Sequence, residues 1–237
     1  MLLFLGCIFG SSIQYVLGFG CGTLLMIFLP SLYSLLQASA LSSSVCIILT
    51  ISVAFRFRKY VSYKKLLIPG ALFLLASSNV IKLSTHLNLH LLVLAFGGFL
   101  LFLSFYFFFV KNKVNYSTTP LAVVGISLIS GAAAGLFGIA GPMLAPYFLK
   151  VTDSKEEYIG TMQTLFSFSC VINFFVRVRA GIYTIELVPA TLLGFVGIII
   201  GELIGARIFK RINTELMSKL IYILIACSGI LTIATNI

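Results

Sequence analysis

The chain has 237 residues, of which 60% are hydrophobic and 9% are charged, and its 16 Lys and Arg residues against 6 Asp and Glu give a formal net charge of +10. Soluble domains are about 45–50% apolar and about 25% charged. The composition therefore indicates an all-α integral membrane protein and excludes a secreted disulfide scaffold, a disordered chain and a nucleic-acid-binding module. Surplus positive charge of this kind is typical of cytoplasmic loops that orient membrane spans.

Hydrophobic runs between polar residues give the predicted elements in chain order. A membrane-spanning helix takes about 20 apolar residues. The runs lie at 2–17, 23–36, 39–57, 66–84, 88–110, 121–136, 142–149, 157–178, 185–209 and 214–235. Residues 111–120 are polar and predict a linker between a first transmembrane repeat, 1–110, and a second, 121–237. The start has no cationic region and no small-residue cleavage site, so we expect no removable signal peptide.

A shift of 120 residues superimposes the two halves without a gap. The matching positions are Gly18 with Gly138, Tyr63 with Tyr183, Leu67 with Leu187, Pro69 with Pro189, the glycine cluster 18–22 with 138–142, and the polar cluster 42–44 with 162–164. We therefore expect two homologous halves, each with a glycine-broken helix followed by three spanning helices. Such duplication is a common design in transporters.

The placement of Lys and Arg distinguishes two topologies of the glycine clusters. If each cluster is a hairpin, the loops at 56–65, 111–113, 150–155 and 207–219 share a side and carry 13 cations against 3 opposite. If each cluster is a kink, the division is 9 against 7. Cytoplasmic loops carry the Lys and Arg excess. The count therefore favours hairpin or re-entrant helices, inverted repeats and both termini outside.

The two glycine clusters have a functional and a structural interpretation. Non-helical backbone at membrane depth is tolerated only inside protein or beside a watery cavity. In the functional interpretation, the breaks expose backbone N–H groups and half-helix N-termini that can hold an anion. In the structural one, small residues simply allow close helix packing.

The residues around the second cluster carry a family resemblance. The run from Gly131 to Pro146, followed by Gly160-Thr-Met-Gln-Thr164 and Gly201-Glu-Leu-Ile-Gly-Ala-Arg207, resembles the sulfite exporter TauE/SafE family. Residues 10–30 and 40–44 resemble the same pattern in weaker form. The family's usual glycine triplet becomes Gly20-Cys-Gly22 in the first half and Ala140-Gly-Pro142 in the second. Glu202 stands at a position that is usually small.

The resemblance implies a multi-pass transporter in the cell membrane that moves a small sulfur-containing or organic anion such as sulfite, a sulfonate or sulfoacetate. Hydroxyl and amide groups near the breaks could replace the hydration shell of such an anion, although they could equally cap helices or bond between them. The predicted substrate-binding residues are Gly18, Gly20, Cys21, Gly22, Ser43, Ser44, Gly138, Gly141, Thr161, Gln163 and Thr164. The Cys21 thiol could contact a sulfur-containing substrate or serve as a small apolar filler.

Few ionisable groups fall within the predicted spans. Glu202 is a candidate proton-coupling carboxylate, with an interfacial ion pair to Arg207 as the alternative. Arg56 and Arg177 lie almost in register between the halves, so they either flank an anion path or anchor helices at the interface. His86 and His90 have no third ligand nearby, so no metal site is expected.

The sequence thus predicts a secondary transporter working by alternating access. An anion channel or a membrane subunit of a larger complex is the alternative. Because no nucleophile and base are positioned together and no Gly-x-Ser-x-Gly elbow occurs, we do not expect an enzyme. No cofactor and no nucleic acid are expected. The expected partners are the anion, the lipid bilayer, a proton or sodium ion for coupling, and further copies of the chain in a homo-oligomer.

Overall fold

The computed structural model describes residues 1–88, 119–139 and 141–213, together with the isolated positions 92, 95, 98, 99, 215, 216 and 220. Within these ranges the regular structure consists of eight α-helices and three short 3-10 turns. The helices are α1 Leu2–Leu17, α2 Cys21–Phe28, α3 Leu35–Arg56, α4 Tyr63–Ser84, α5 Pro120–Phe137, α6 Gly141–Val151, α7 Lys155–Arg179 and α8 Val188–Phe209. The spans predicted at 88–110 and 214–235, and most of the linker, lie outside the described residues.

Five of the described helical segments are long and apolar enough to cross a membrane. They are Leu35–Arg56, Tyr63–Ser84, Pro120–Phe137, Lys155–Arg179 and Ile185–Phe209, with 18 to 25 residues each. At 1.5 Å per residue they are roughly 27–38 Å long, which matches a hydrocarbon core of about 30 Å. The chain is therefore a multi-pass helical membrane protein, as its composition predicted.

The predicted run at 23–36 does not form one helix. The α2 helix ends at Phe28, and a 3-10 turn at Leu29–Ser31 follows it. The side chain of Ser34 then accepts a hydrogen bond of 3.4 Å from the backbone N–H of Gln37 and begins α3. The prediction was wrong here because it followed hydrophobicity alone, whereas a serine N-cap separates the two elements.

The first glycine break is a hairpin. A β-carbon on Gly10 would lie 3.0 Å from the Cα of Cys21, at the start of α2, and one on Gly6 would lie 2.7 Å from the Phe28 ring, at its end. Because successive positions of α2 meet earlier positions of α1, the two helices run antiparallel. The α2 helix has 8 residues, about 12 Å, and cannot cross a bilayer by itself.

The two halves pack across one another rather than side by side. The α1 helix of the first half packs along α8 of the second, α5 of the second packs along α4 of the first, and α3 packs against α7. Glycines allow these close approaches: a β-carbon on Gly197 would lie 2.8 Å from the Phe4 carbonyl oxygen, and one on Gly135 would lie 2.6 Å from that of Ser77. Small residues bring helix backbones together in this way in membranes.

Polar contacts place three Lys- and Arg-rich segments on one side of the molecule. The Lys65 Nζ atom lies 3.1 Å from Asp153 and 2.9 Å from Glu157. The Lys155 Nζ atom donates hydrogen bonds to the carbonyl oxygens of Phe209, at 3.2 Å, and Ile212, at 2.6 Å. Segments 56–65, 150–155 and 207–212 are therefore neighbours, which is the grouping that the hairpin topology predicts and the kink topology excludes.

The helix boundaries recur at the spacing found in the sequence. The α1 helix ends at Leu17 and α5 at Phe137, α2 begins at Cys21 and α6 at Gly141, and α3 begins at Leu35 and α7 at Lys155. Each pair is separated by 120 residues. Over these described helices, the repeated sequence pattern corresponds to a repeated order of helices.

Candidate functional site

Among the described helices, one in each half stops directly at a left-handed glycine. The α1 helix stops at Gly18, which has a φ of 82°, and α5 stops at Gly138, which has a φ of 68°. Gly20, with a φ of 128°, then precedes α2. A side chain at these φ values would clash with the backbone, and glycine is the residue that adopts them without strain. The glycine clusters therefore produce helix breaks, as the sequence predicted.

The two breaks touch each other inside the protein. A β-carbon on Gly22, in the first turn of α2, would lie 2.7 Å from the carbonyl oxygen of Gly138. Gly141, at the start of α6, packs directly against the side chain of Phe19. Each break thus meets the other through a glycine, and a larger residue at Gly22 or Gly141 would force them apart.

A cavity of about 50 Å³ lies where the breaks meet, and we call it the break cavity. Five of the predicted substrate-binding residues line it: Gly20, Gly22, Ser43, Gly138 and Gly141. The remaining lining residues are Gln14, Phe19, Thr23, Ser42, Cys46, Thr50, Ala134, Phe166, Ser169, Cys170 and Asn173. The glycine clusters and one hydroxyl of the predicted site are thus brought together by the fold.

Three other predicted residues, Gly18, Cys21 and Gln163, lie at or contact the first break but are not in the cavity wall. The Gln163 amide donates a hydrogen bond of 3.1 Å to the carbonyl oxygen of Gly18. The Gln14 side chain accepts one of 3.2 Å from the backbone N–H of Cys21. The Cys21 thiol contacts that of Cys46. Gly18, Cys21 and Gln163 are therefore structural neighbours of the break cavity and do not line it.

The remaining predicted hydroxyl groups form hydrogen bonds within their own helix or to a neighbouring loop. Thr161 accepts a hydrogen bond of 3.1 Å from the backbone N–H of Ser62. Thr164 donates to the carbonyl oxygen of Gly160, and Ser44 to that of Ala40, each at 2.7 Å within its own helix. The structure does not bring these three side chains to the break cavity.

Apart from Ser43, the predicted substrate-binding residues did not include the cavity-lining side chains of α3 and α7. The cavity-lining positions 43, 46 and 50 in α3, and 166, 170 and 173 in α7, are three or four residues apart. Residues at that spacing share one face of a helix. The 120-residue shift also superimposes Cys46 on Phe166 and Thr50 on Cys170. Helical spacing combined with the repeat could therefore have identified these residues.

One hydroxyl at the break cavity is unpartnered. Ser42 is fully buried, and its Oγ atom has no hydrogen-bond partner among the described residues. A buried hydroxyl without a partner costs about 1–3 kcal/mol. Ser42 also belongs to the wall of the break cavity.

Arg177 is buried, so the prediction of an interfacial anchor is wrong for this residue. Its side chain is 1% exposed, and Nη1 donates a hydrogen bond of 2.6 Å to the Oγ atom of Ser43. The Nη2 atom donates to the carbonyl oxygen of Gly135 at 2.9 Å and to that of Ala134 at 3.3 Å. Arg56, by contrast, is exposed at the end of α3, where an anchor is expected.

Glu202 lies away from the break cavity. Its carboxylate accepts a hydrogen bond of 2.5 Å from the Ser52 hydroxyl. The two residues line a groove of about 420 Å³ that also contains Arg56, Arg58 and Lys59. The ion pairs found in the described part of the chain do not include one between Glu202 and Arg207, so that alternative is wrong. Nor is there a group of three His, Cys, Asp or Glu side chains suited to a metal ion in these ranges.

The fold and site define a multi-pass helical membrane protein in which two helix breaks meet at a cavity lined by both polar and apolar side chains. The chain belongs to the sulfite exporter TauE/SafE family, whose profile matches residues 2–232. This is a family of membrane transporters, and membership is consistent with a function other than catalysis. Comparisons with curated proteins and with solved structures gave no match.

Proposed function

We propose that the protein is a secondary transporter that carries a small sulfur oxyanion, of the size of sulfite, across the cell membrane. The observation that carries the proposal is the convergence of two equivalent helix breaks on one cavity whose wall includes hydroxyl and amide side chains, in a chain of this transporter family. Ordinary helix packing would not require the two breaks to meet. A substrate site shared by the two halves would require the two breaks to meet.

The lining of the break cavity suits an anion. The first residues of α2 and α6, including Gly22 and Gly141, lie in its wall. The first N–H groups of a helix have no partner within the helix and carry partial positive charge. The Ser42 hydroxyl, which has no partner among the described residues, adds a donor that can replace part of the hydration shell. Because these donors are uncharged, the anion can also leave.

The size of the break cavity favours a compact substrate. Its volume of about 50 Å³ has room for more than one water-sized group, but it is small for a ligand site. Sulfite has four non-hydrogen atoms, whereas sulfoacetate has eight. We therefore place sulfite or an oxyanion of similar size ahead of the larger sulfonates.

We further propose that the halves are inverted repeats that move against each other in alternating access. The equivalent helices α3 and α7 support this arrangement because they run antiparallel. A β-carbon on Gly160, near the start of α7, would lie 2.9 Å from the Phe57 carbonyl oxygen, just after α3 ends. Arg177, near the end of α7, reaches Ser43 in the first half of α3. By the positive-inside rule, the side with Lys65 and Lys155 faces the cytoplasm.

Sulfite flux into liposomes containing the purified protein tests this function. We expect saturable flux that an imposed ion or sulfite gradient drives. Replacing Ser42 with Ala removes the unpartnered hydroxyl from the cavity wall and should raise the KM for sulfite several-fold. Ser44→Ala is the matched control, because Ser44 is the nearby serine that bonds within α3 and does not line the cavity.

The same assay separates the alternatives. Flux that rises linearly with sulfite concentration and follows only its electrochemical gradient would indicate a channel. Saturable flux with equal KM values for Ser42→Ala and Ser44→Ala would place the substrate elsewhere. Absence of flux for sulfite and for other small oxyanions would refute the proposed function.

A further inference from the structure

Arg177 is a cation enclosed by neutral groups. Its guanidinium donates to the hydroxyl of Ser43 and to the carbonyl oxygens of Ala134 and Gly135. A fourth, longer bond of 3.4 Å reaches the hydroxyl of Ser39. All four partners are uncharged. The side chain is also among the largest fully buried ones in the described part of the chain.

The Asp and Glu residues of this chain do not pair with Arg177. The chain has 6 Asp and Glu residues, at positions 153, 156, 157, 186, 202 and 215, and the structure describes all of them. None lies within 4 Å of the Arg177 guanidinium among the ion pairs of the described residues. A buried charge normally requires a partner of opposite charge. The last carbonyls of α5 supply only the partial negative charge of a helix C-terminus.

The uncompensated charge is adjacent to the break cavity. Ser43 and Ala134 both contact Arg177 and line the cavity. One layer of atoms therefore separates the guanidinium from a molecule in the cavity. Charges interact more strongly there than in water because the effective dielectric constant is low.

We propose that Arg177 is the fixed positive charge that makes the break cavity select anions. This inference rests on the proposed function and adds the basis of its charge selectivity. The Ser43 hydroxyl accepts from Arg177 and donates to the Ser39 carbonyl oxygen at 2.8 Å. The Ser43 proton therefore points at Ser39, and the guanidinium acts on an anion through the local electrostatic potential. The anion in turn supplies the charge that the protein does not place beside Arg177.

Three variants of the full chain test the proposal. Arg177→Gln removes the charge, whereas Arg177→Lys keeps the charge but loses the planar guanidinium group and its fixed set of N–H donors. The control, Arg179→Gln, removes an exposed arginine two residues further along α7. The probes are sulfite and dimethyl sulfone, an uncharged molecule of similar size. The measurement is the thermal stabilisation of purified protein as a function of probe concentration, which gives an apparent Kd.

We expect the wild-type protein and Arg179→Gln to prefer sulfite over the sulfone. In Arg177→Gln the apparent Kd for sulfite should rise roughly tenfold or more, as expected for loss of a nearby charge in a medium of low dielectric, while that for the sulfone stays unchanged. Arg177→Lys should retain the preference for sulfite. A purely structural role would lower the unfolding temperature of both Arg177 variants and leave the ratio of the two Kd values unchanged.

The outcomes distinguish this proposal from the proposed function. A wild-type protein that binds and transports sulfite, with an Arg177→Gln variant of unchanged preference, overturns the role of Arg177 alone. A wild-type protein that neither binds nor transports any small oxyanion overturns both. If Arg177→Gln does not fold, Arg177→Lys decides: retained preference for sulfite supports the proposal, and loss of it in a folded protein overturns it.

Discussion

Replacing Gly22 with Ala tests the contact between the two helix breaks. Its new β-carbon would lie 2.7 Å from the carbonyl oxygen of Gly138. An ordinary contact needs at least about 3.4 Å, so one of the breaks must move by roughly 0.7 Å. The Gly138 carbonyl oxygen belongs to the backbone, which has a left-handed φ of 68° there. It therefore cannot rotate away from the new β-carbon as a flexible side chain would. Overpacking of this kind costs about 1–3 kcal/mol.

Part of that cost is offset locally. Gly22 lies inside α2 and its φ is not positive, so alanine gains up to about 1 kcal/mol of helix propensity there. We expect a net loss of stability of up to about 2 kcal/mol, together with reduced sulfite transport. Gly125→Ala is the matched control, because Gly125 lies within α5 and has nothing within 4 Å of an added β-carbon. That variant should be as stable as wild type or more so.

Thermal unfolding in detergent and sulfite flux in liposomes measure the two effects. The reasoning fails if Gly22→Ala unfolds at the same temperature as Gly125→Ala and transports equally well, because the breaks would then not meet as described. Reduced stability with full transport would separate the contact from substrate passage. It would place the anion away from the junction of the breaks.

Three further changes test single side chains. Gln163→Leu leaves the carbonyl oxygen of Gly18 without its donor but also removes the Gln163 Oε1 atom, which is buried without a partner. The expected net cost in thermal unfolding is therefore about 1 kcal/mol or less, and a variant more stable than wild type would argue against this bond. Glu202→Gln keeps an oxygen that accepts from the Ser52 hydroxyl, but its side chain cannot titrate. If Glu202 couples transport to protons, the flux of this variant should be independent of pH. A pH profile identical to that of the wild type would exclude this role. Cys21→Ser should transport normally, because this residue does not line the break cavity, and loss of transport would instead indicate direct contact with the sulfur of the substrate.

Much of the fold could be predicted because a membrane imposes simple rules on sequence. Spanning helices must be long and apolar, and left-handed helix ends favour glycine. The hydrophobic runs and glycine clusters therefore predicted most described helices and both breaks. The run at 23–36 was the exception, because the Ser34 cap that divides it is a local polar signal within an apolar stretch.

The candidate site was only partly predictable. The glycines that line the break cavity are visible in the sequence because their backbone conformation has a residue preference. Ser42 and Ser44 look alike in the sequence, yet Ser42 lines the cavity and Ser44 bonds within its own helix. Which face of a helix turns inward depends on its neighbours, and hydrophobicity does not reveal it when both faces are apolar.

The sequence by itself determined that this is a multi-pass helical membrane protein, and it predicted the two helix breaks. Composition, the 120-residue repeat and the glycine clusters carry that information locally. Only the tertiary structure decided that the two breaks meet, and that Arg177 is buried beside their cavity. Burial is a property of packing between helices far apart in the chain. An arginine near the end of an apolar span has the same sequence pattern whether it reaches the membrane surface or turns inward.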